Sequence, residues 1–185
     1  PGEEILEGPG SRSGVVWKLD SSGNYQWAKA FEKASGSGSS DSNQANSVAV
    51  DGSGNVYTTG KFEGTVDFDP GAALAVLTAG AYPWNDNAFV SKLDSSGNYV
   101  WAKQFGTLDS PQSGKQVAVD SSGNVYMSGY YFGGVDFDPG DGVINYTTYG
   151  TDMFLVKLDS SGNLAPGGGN AGMTVTESGG STSVS

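Results

Sequence analysis

The chain has 185 residues, with 20 acidic and 9 basic side chains and a formal net charge of −11. That balance leaves no basic stripe to neutralise phosphates or to hold an anionic membrane surface, which argues against nucleic acid and lipid headgroups as partners. Histidine and cysteine are both absent, which excludes His-based triads, thiol nucleophiles, disulfides and zinc sites built on those residues.

Glycine supplies 30 residues, well above ordinary usage of about 7%. Valine and aromatic residues recur at regular intervals between the glycines, which is turn-rich β composition and not disorder. No apolar run approaches the length of a membrane-spanning helix. The chain opens at Pro1 without a signal-peptide pattern and stops at Ser185 in mid-phrase, so it reads as a segment of a longer polypeptide.

Three phrases repeat along the chain. Lys18-Leu-Asp-Ser-Ser-Gly-Asn24 returns at Lys92 and at Lys157. Val48-Ala-Val-Asp-Gly-Ser-Gly-Asn-Val-Tyr57 returns, with one Gly-to-Ser change, at Val117. Val66-Asp-Phe-Asp-Pro-Gly71 returns at Val135. The unit is roughly 70 residues long with a loop of variable length, the signature of one supersecondary unit stacked in tandem.

In chain order, residues 1–14 form an N-terminal segment and 15–31 a leading half-unit. The clearest full unit covers 44–106. Within it, 47–50 is a strand, 51–55 a turn and 56–60 the return strand. Residues 61–87 are an insert, 88–93 a third strand, 94–98 a second turn and 99–105 a fourth strand. The next unit covers 113–165. Residues 166–185 are a Gly-rich linker and the start of a further module. Each turn has one recipe: an aspartate that accepts backbone N–H groups ahead of it, and a glycine for the left-handed position that closes a type I turn with a bulge. The pairs are Asp20/Gly23, Asp51/Gly54, Asp94/Gly97, Asp120/Gly123 and Asp159/Gly162.

Period two puts Tyr99, Trp101, Lys103 and Phe105 on one face of the fourth strand and Val100, Ala102 and Gln104 on the other. Tyr25, Trp27, Lys29 and Phe31 repeat the large face. A large face beside a small one suits sheets stacked face to face, the rings of one unit lying on the alanine side of the next.

In order, Val117-Ala-Val-Asp-Ser-Ser-Gly-Asn-Val-Tyr-Met-Ser-Gly129, Val135-Asp-Phe-Asp-Pro-Gly140 and Met153-Phe-Leu-Val-Lys-Leu-Asp-Ser-Ser-Gly-Asn163 resemble the bacterial beta-propeller repeat known as the SBBP family, and Trp101-Ala-Lys-Gln-Phe105 fits it as well. The resemblance covers about 15–165. It implies an all-β fold of four-stranded antiparallel propeller-type blades in tandem, in large secreted or cell-surface proteins of bacteria. The tail from Gly172 resembles the opening of a Calx-beta module. The blades within the chain are too few to close a ring of four to eight. The last unit reads Leu164-Ala-Pro where Trp-Ala-Lys is expected.

Several groups are candidate sites. Asp67 and Asp69, and likewise Asp136 and Asp138 followed by Asp141, place carboxylates in a Gly/Pro-bent loop that could hold Ca²⁺, the one cofactor the sequence suggests. The other reading is that they close a turn while Val66, Phe68, Val135 and Phe137 anchor it. Asp86 and Asp152 precede the third strands. Paired carboxylates could also serve a polysaccharide-acting enzyme, but identical pairs in each repeat point to architecture and not to one catalytic pocket. Tyr82, Trp84, Tyr130, Tyr131, Tyr146 and Tyr149 lie in the inserts, where they either bind a sugar or protein surface or cap a blade edge. The sequence therefore reads as a non-enzymatic extracellular scaffold or interaction protein. The alternative is a structural subunit that self-associates through open blade edges into a fibre, tube or surface layer.

Overall fold

A computed structural model of the protein describes residues 13–34, 42–79, 85–106 and 110–165. The N-terminal segment to residue 12, the tail from residue 166, and Tyr82 and Trp84 lie outside the described residues. All regular structure among the described residues is β, in antiparallel sheets, as the repeat pattern leads one to expect.

The leading half-unit is a hairpin of β1 (Val15–Leu19) and β2 (Tyr25–Ala30). A four-stranded sheet follows, β4 (Ser42–Val50), β5 (Val56–Glu63), β8 (Asn87–Leu93) and β9 (Tyr99–Phe105), paired in that order. A third sheet joins β10 (Gln112–Val119), β11 (Val125–Asp136) and β12 (Asn145–Leu158). Its fourth position holds a single bridge, Leu158 to Leu164. The sheets do not close on themselves.

The inserts are more ordered than loops. In the second unit, β6 (Thr65–Asp67) pairs with β7 (Val76–Thr78) and also with β3 (Glu32–Lys33), the extension of the preceding hairpin. In the third unit β11 and β12 simply run on, past a bulge between Phe132 and Gly134, so that Asp136 faces Asn145.

Sheets stack face to face, and two clusters form the core between them. The first joins Val16, Trp27 and Phe31 of the hairpin to Val56, Phe62, Val66, Phe68, Phe89 and Leu93 of the second unit. The second joins Tyr57, Ala88, Val90, Trp101 and Phe105 to the facing side of the third sheet, including Val117, Met127, Phe137 and Phe154. Phe68 sits at the centre of an aromatic box, with ring centroids 5.2 Å from Phe31, 5.4 Å from Phe62 and 4.8 Å from Phe89. Phe137 repeats that role, 5.4 Å from Tyr131 and 5.1 Å from Phe154. The insert motif is therefore a plug: its apolar residues Val66, Phe68, Val135 and Phe137 are buried.

One face assignment needs correction. Trp101 and Phe105 do share a face, but Tyr99 packs with the opposite cluster. A bulge between Lys92 and Leu93 pairs Leu93 with Tyr99 and omits Val100 from the ladder, which inverts the alternation at the strand's start. The same bulge between Lys18 and Leu19 acts on Tyr25. The phenol oxygen of Tyr99 then accepts the Ala102 backbone N–H at 3.0 Å.

Because Phe68 plugs a fully buried box, Phe68→Ala is expected to cost about 3–5 kcal/mol by urea denaturation. Leu74→Ala, at an exposed position of the same insert, is expected to stay within about 0.5 kcal/mol. Equal costs at the two sites would contradict the plug.

Candidate functional site: the turn sockets and the insert surfaces

The five aspartate turns are built alike. In each, the aspartate N–H bonds the carbonyl of the asparagine four residues on, and the glycine N–H returns to the aspartate carbonyl. One carboxylate oxygen accepts the N–H groups two and four residues ahead: for Asp94 these are Ser96 and Asn98, at 2.8 and 2.9 Å. In four of the turns the second oxygen takes the asparagine amide, at 2.9 Å in Asp20 and Asp94, 2.7 Å in Asp51 and 2.8 Å in Asp120. Gly23, Gly54, Gly97, Gly123 and Gly162 all have φ near +80°.

These bonds favour the charged carboxylates and hold the pKa values of Asp20, Asp51, Asp94 and Asp120 below the ordinary one. For Asp20 and Asp120 the asparagine side chain is the largest cause, for Asp94 the Asn98 backbone N–H. For Asp51 burial pulls the other way, but Asn55, Tyr57 and Ser53 together outweigh it. The buried Tyr57 phenol donates to Asp51 at 3.1 Å, and burial first, then that bond and the Asp51 charge, push its pKa upward.

The turns also serve as sockets for the neighbouring unit. Trp27 of the hairpin donates its indole N–H to the Ser95 carbonyl at 3.1 Å, and Lys18 Nζ reaches the same oxygen at 3.0 Å. One unit later, Trp101 and Lys92 share the Ser160 carbonyl at 3.2 and 3.4 Å. Two donors on one carbonyl use both of its lone pairs. Lys18 also reaches the Gly54 carbonyl at 2.8 Å, tying together two turns of the second sheet. A Cβ at Gly97 would lie 3.0 Å from the Trp27 ring, and one at Gly162 would lie 3.0 Å from the Trp101 ring. Glycine is thus required twice at these sites, for the left-handed backbone and for the room the indole takes. Trp27 and Trp101 occupy the same environment in successive units. Ala102 borders the Trp27 cluster, so rings do face the alanine side as expected, but the polar end of the indole rests on the turn.

Inner strands add a second tie. Asn43 accepts the Gly14 N–H and donates to the Phe31 carbonyl at 2.9 Å, so the second sheet clasps both ends of the hairpin. Asn46 Nδ2 donates to the Gly114 carbonyl at 2.7 Å, and the Val117 N–H donates to the Ser47 hydroxyl at 3.2 Å.

The insert carboxylates are turn acceptors. Asp67 Oδ1 accepts the N–H groups of Asp69 and Ala75 at 3.0 and 2.9 Å, and Asp69 Oδ1 accepts that of Gly71 at 2.7 Å. Asp136 and Asp138 repeat this with Asp138, Ile144 and Gly140. Asp141 is exposed beside them. Among the described residues no three acidic side chains converge as a metal site would require. The N–H bonds engage one oxygen of each paired carboxylate and leave the other oxygen to either reading of the sequence, calcium ligation or turn closure. Asp86 forms an ion pair with Lys61 at 2.6 Å. A cleft of about 190 Å³ lies between β2 and the first insert, lined by Lys29, Glu32, Asp67 and Asp69 among others.

The insert aromatics divide. Tyr131 is core, Tyr130 lies under Lys115 with Nζ 4.9 Å from its ring centre, and Tyr146 packs 5.9 Å from Phe137. Tyr149 alone among those described is fully exposed. Lys18, Lys92 and Lys157 each stand one residue before the leucine of an aspartate turn, and that unvarying position in the repeated phrase is the sequence signal for their role in the joint.

The family model described as Beta-propeller repeat (SBBP) matches residues 26–61 and 100–130. Those two stretches carry the Trp-Ala-Lys strand of one unit and the first hairpin of the next; the turns that receive the indoles, with Ser95 and Ser160, lie outside them. No curated protein matches the chain. The Calx-beta resemblance of the tail has no matching family model.

Carboxylates with depressed pKa values contribute stability that is complete above the ordinary value of about 3.9 and lost as pH falls through the lower folded-state values. The urea midpoint is therefore expected to hold steady through neutral pH and to fall below about pH 4. A variant carrying Asp94→Asn and Asp120→Asn should start lower and fall less. A midpoint that stays flat down to about pH 2 would contradict these turn assignments.

Proposed function

We propose that the protein is a non-enzymatic scaffold that presents its inserts for interaction with a protein or glycan partner. The observation that carries this is the repetition of the joint. The aspartates of the repeated phrases, the residues that most resemble reactive or metal-binding groups, are engaged as turn acceptors. Asp67 and Asp69 recur as Asp136 and Asp138 with the same bonds, which is the behaviour of architecture. What varies between repeats is the insert surface, the side pairing of β3, β6 and β7 in one unit and the long β11–β12 ribbon in the other. Variation on a fixed frame is how repeat proteins build recognition surfaces.

The resemblance to beta-propeller repeats of secreted and surface proteins supports a location outside the cell. The negative charge suits a soluble surface module and disfavours contact with nucleic acid. A second reading, a self-assembling structural subunit, is favoured by one observation: the outward faces of the first and third sheets expose Trp17, Leu19, Met153 and Leu155.

An array of polysaccharides and surface-protein fragments tests the first reading. Binding without turnover is expected, weakened by Tyr149→Ala and unaffected by Asp69→Asn. Turnover of any glycan that is lost with Asp67→Asn would overturn it in favour of an enzyme.

A further inference from the structure

Each insert turns one aliphatic side chain outward at the same place. In the first insert the Phe68 N–H donates to the Ala75 carbonyl at 3.0 Å, and the Ala75 N–H donates to Asp67 Oδ1 at 2.9 Å. In the second, the Phe137 N–H donates to the Ile144 carbonyl and the Ile144 N–H to Asp136 Oδ1, at the same two distances. Ala75 and Ile144 are thus clamped on both sides, and Ile144 also packs on the second core cluster. The residue just before each clamp points to solvent. Leu74 is 78% exposed and Val143 is 68% exposed.

A single exposed aliphatic residue needs no explanation. Here the position recurs, with its clamp, in two successive units whose loops otherwise differ. Ala72-Ala73 leads to Leu74, and Asp141-Gly142 leads to Val143. Both loops are anchored by a buried ring, Phe68 in one and Phe137 in the other. The tips are therefore held in place before anything binds, and a partner that covers them has little loop ordering to oppose it.

Charge selects among the occupants. Residues 64–79 carry two carboxylates and no basic side chain, and residues 133–151 carry three and none. Lys29 and Lys33 border the first insert together with Glu32, which leaves that side acidic as well. A second copy of the chain would set acid against acid, and an anionic membrane surface would be repelled. An aliphatic tip gives a sugar no flat ring on which to stack. A protein surface with apolar side chains flanked by lysine or arginine fits both features: the tips are buried and the carboxylates are met by opposite charge.

We infer that Leu74 and Val143 are contact points for a protein partner of that chemistry, an apolar surface rimmed with basic residues. The inference rests on the scaffold reading above and names the kind of partner the inserts take. The aliphatic tips hold the complex, and the acidic surroundings speed the encounter and reject acidic proteins.

A displayed library of small domains with randomised surfaces, selected on the full chain, tests it. Enriched domains are expected to carry apolar residues beside lysine or arginine, and their binding should weaken as salt rises. Leu74→Ser and Val143→Ser should each weaken binding about tenfold and the double variant more. Circular dichroism and the urea midpoint should not change, because both positions are exposed. Enriched domains that bind the double variant as well as the wild type, or that lack basic residues, would overturn the inference. So would self-association or glycan binding that is lost with the same double variant, since either assigns the tips to another occupant. A glycan or surface protein whose binding ignores both substitutions would leave the scaffold reading in place and remove this one. Turnover that is lost with Asp67→Asn would remove the scaffold reading itself.

Discussion

An indole resting on a neighbour's glycine turn sets how one unit sits against the next. The tryptophan is large, rigid and apolar over most of its surface, so burying it drives the sheets together. Its single N–H must find an acceptor once water is excluded, and the serine carbonyl of the turn is the acceptor. A lysine from the same sheet fills that carbonyl's remaining capacity. Area supplies the attraction and the two donors supply the register. An apolar side chain of the same size would stack the sheets without fixing their rotation.

The inserts are subordinate to this joint and reinforce it. Phe68 enters the box made by Phe31, Phe62 and Phe89, so a residue of the second unit completes the core that the first unit shares with it. The aspartates around it accept the backbone N–H groups of the sharply bent loop and hold its shape. With the apolar residues turned inward and the carboxylates engaged, the outer edge of each insert is free to change between repeats. Rigidity at the joint and variety at the insert are compatible because they occupy opposite ends of the blade.

Much of this was legible in the chain. Fixed spacing gave the units, Asp and Gly at fixed offsets gave the turns, and alternation gave the strands. Phe68 and Phe137 were recognisable as anchors because they alternate with polar residues in a repeated phrase. Two things escaped. The bulges at Lys92/Leu93 and Lys18/Leu19 invert the faces of Tyr99 and Tyr25, and a one-residue slip in a ladder leaves no mark in a single strand's composition. The partnership of Trp27 with Ser95 joins residues 68 apart through a backbone carbonyl, and a carbonyl carries no residue-type signal. The twin role of Gly97, conformational and steric, follows only once the indole is in place. For the insert carboxylates the residue types fit both turn closure and calcium ligation, and the structure shows them accepting backbone N–H groups.

The coupling between Trp27 and Gly97, measured by a double-mutant cycle in urea, tests the joint most directly. Asparagine tolerates the left-handed conformation, so Gly97→Asn adds a side chain beneath the indole while keeping the turn. Trp27→Ala removes the indole. If the ring rests on that glycine, the double variant should be more stable than the sum of the two single losses allows, by roughly 1–3 kcal/mol. Additive losses would mean that the two residues do not meet, and the stacking account would fail with them.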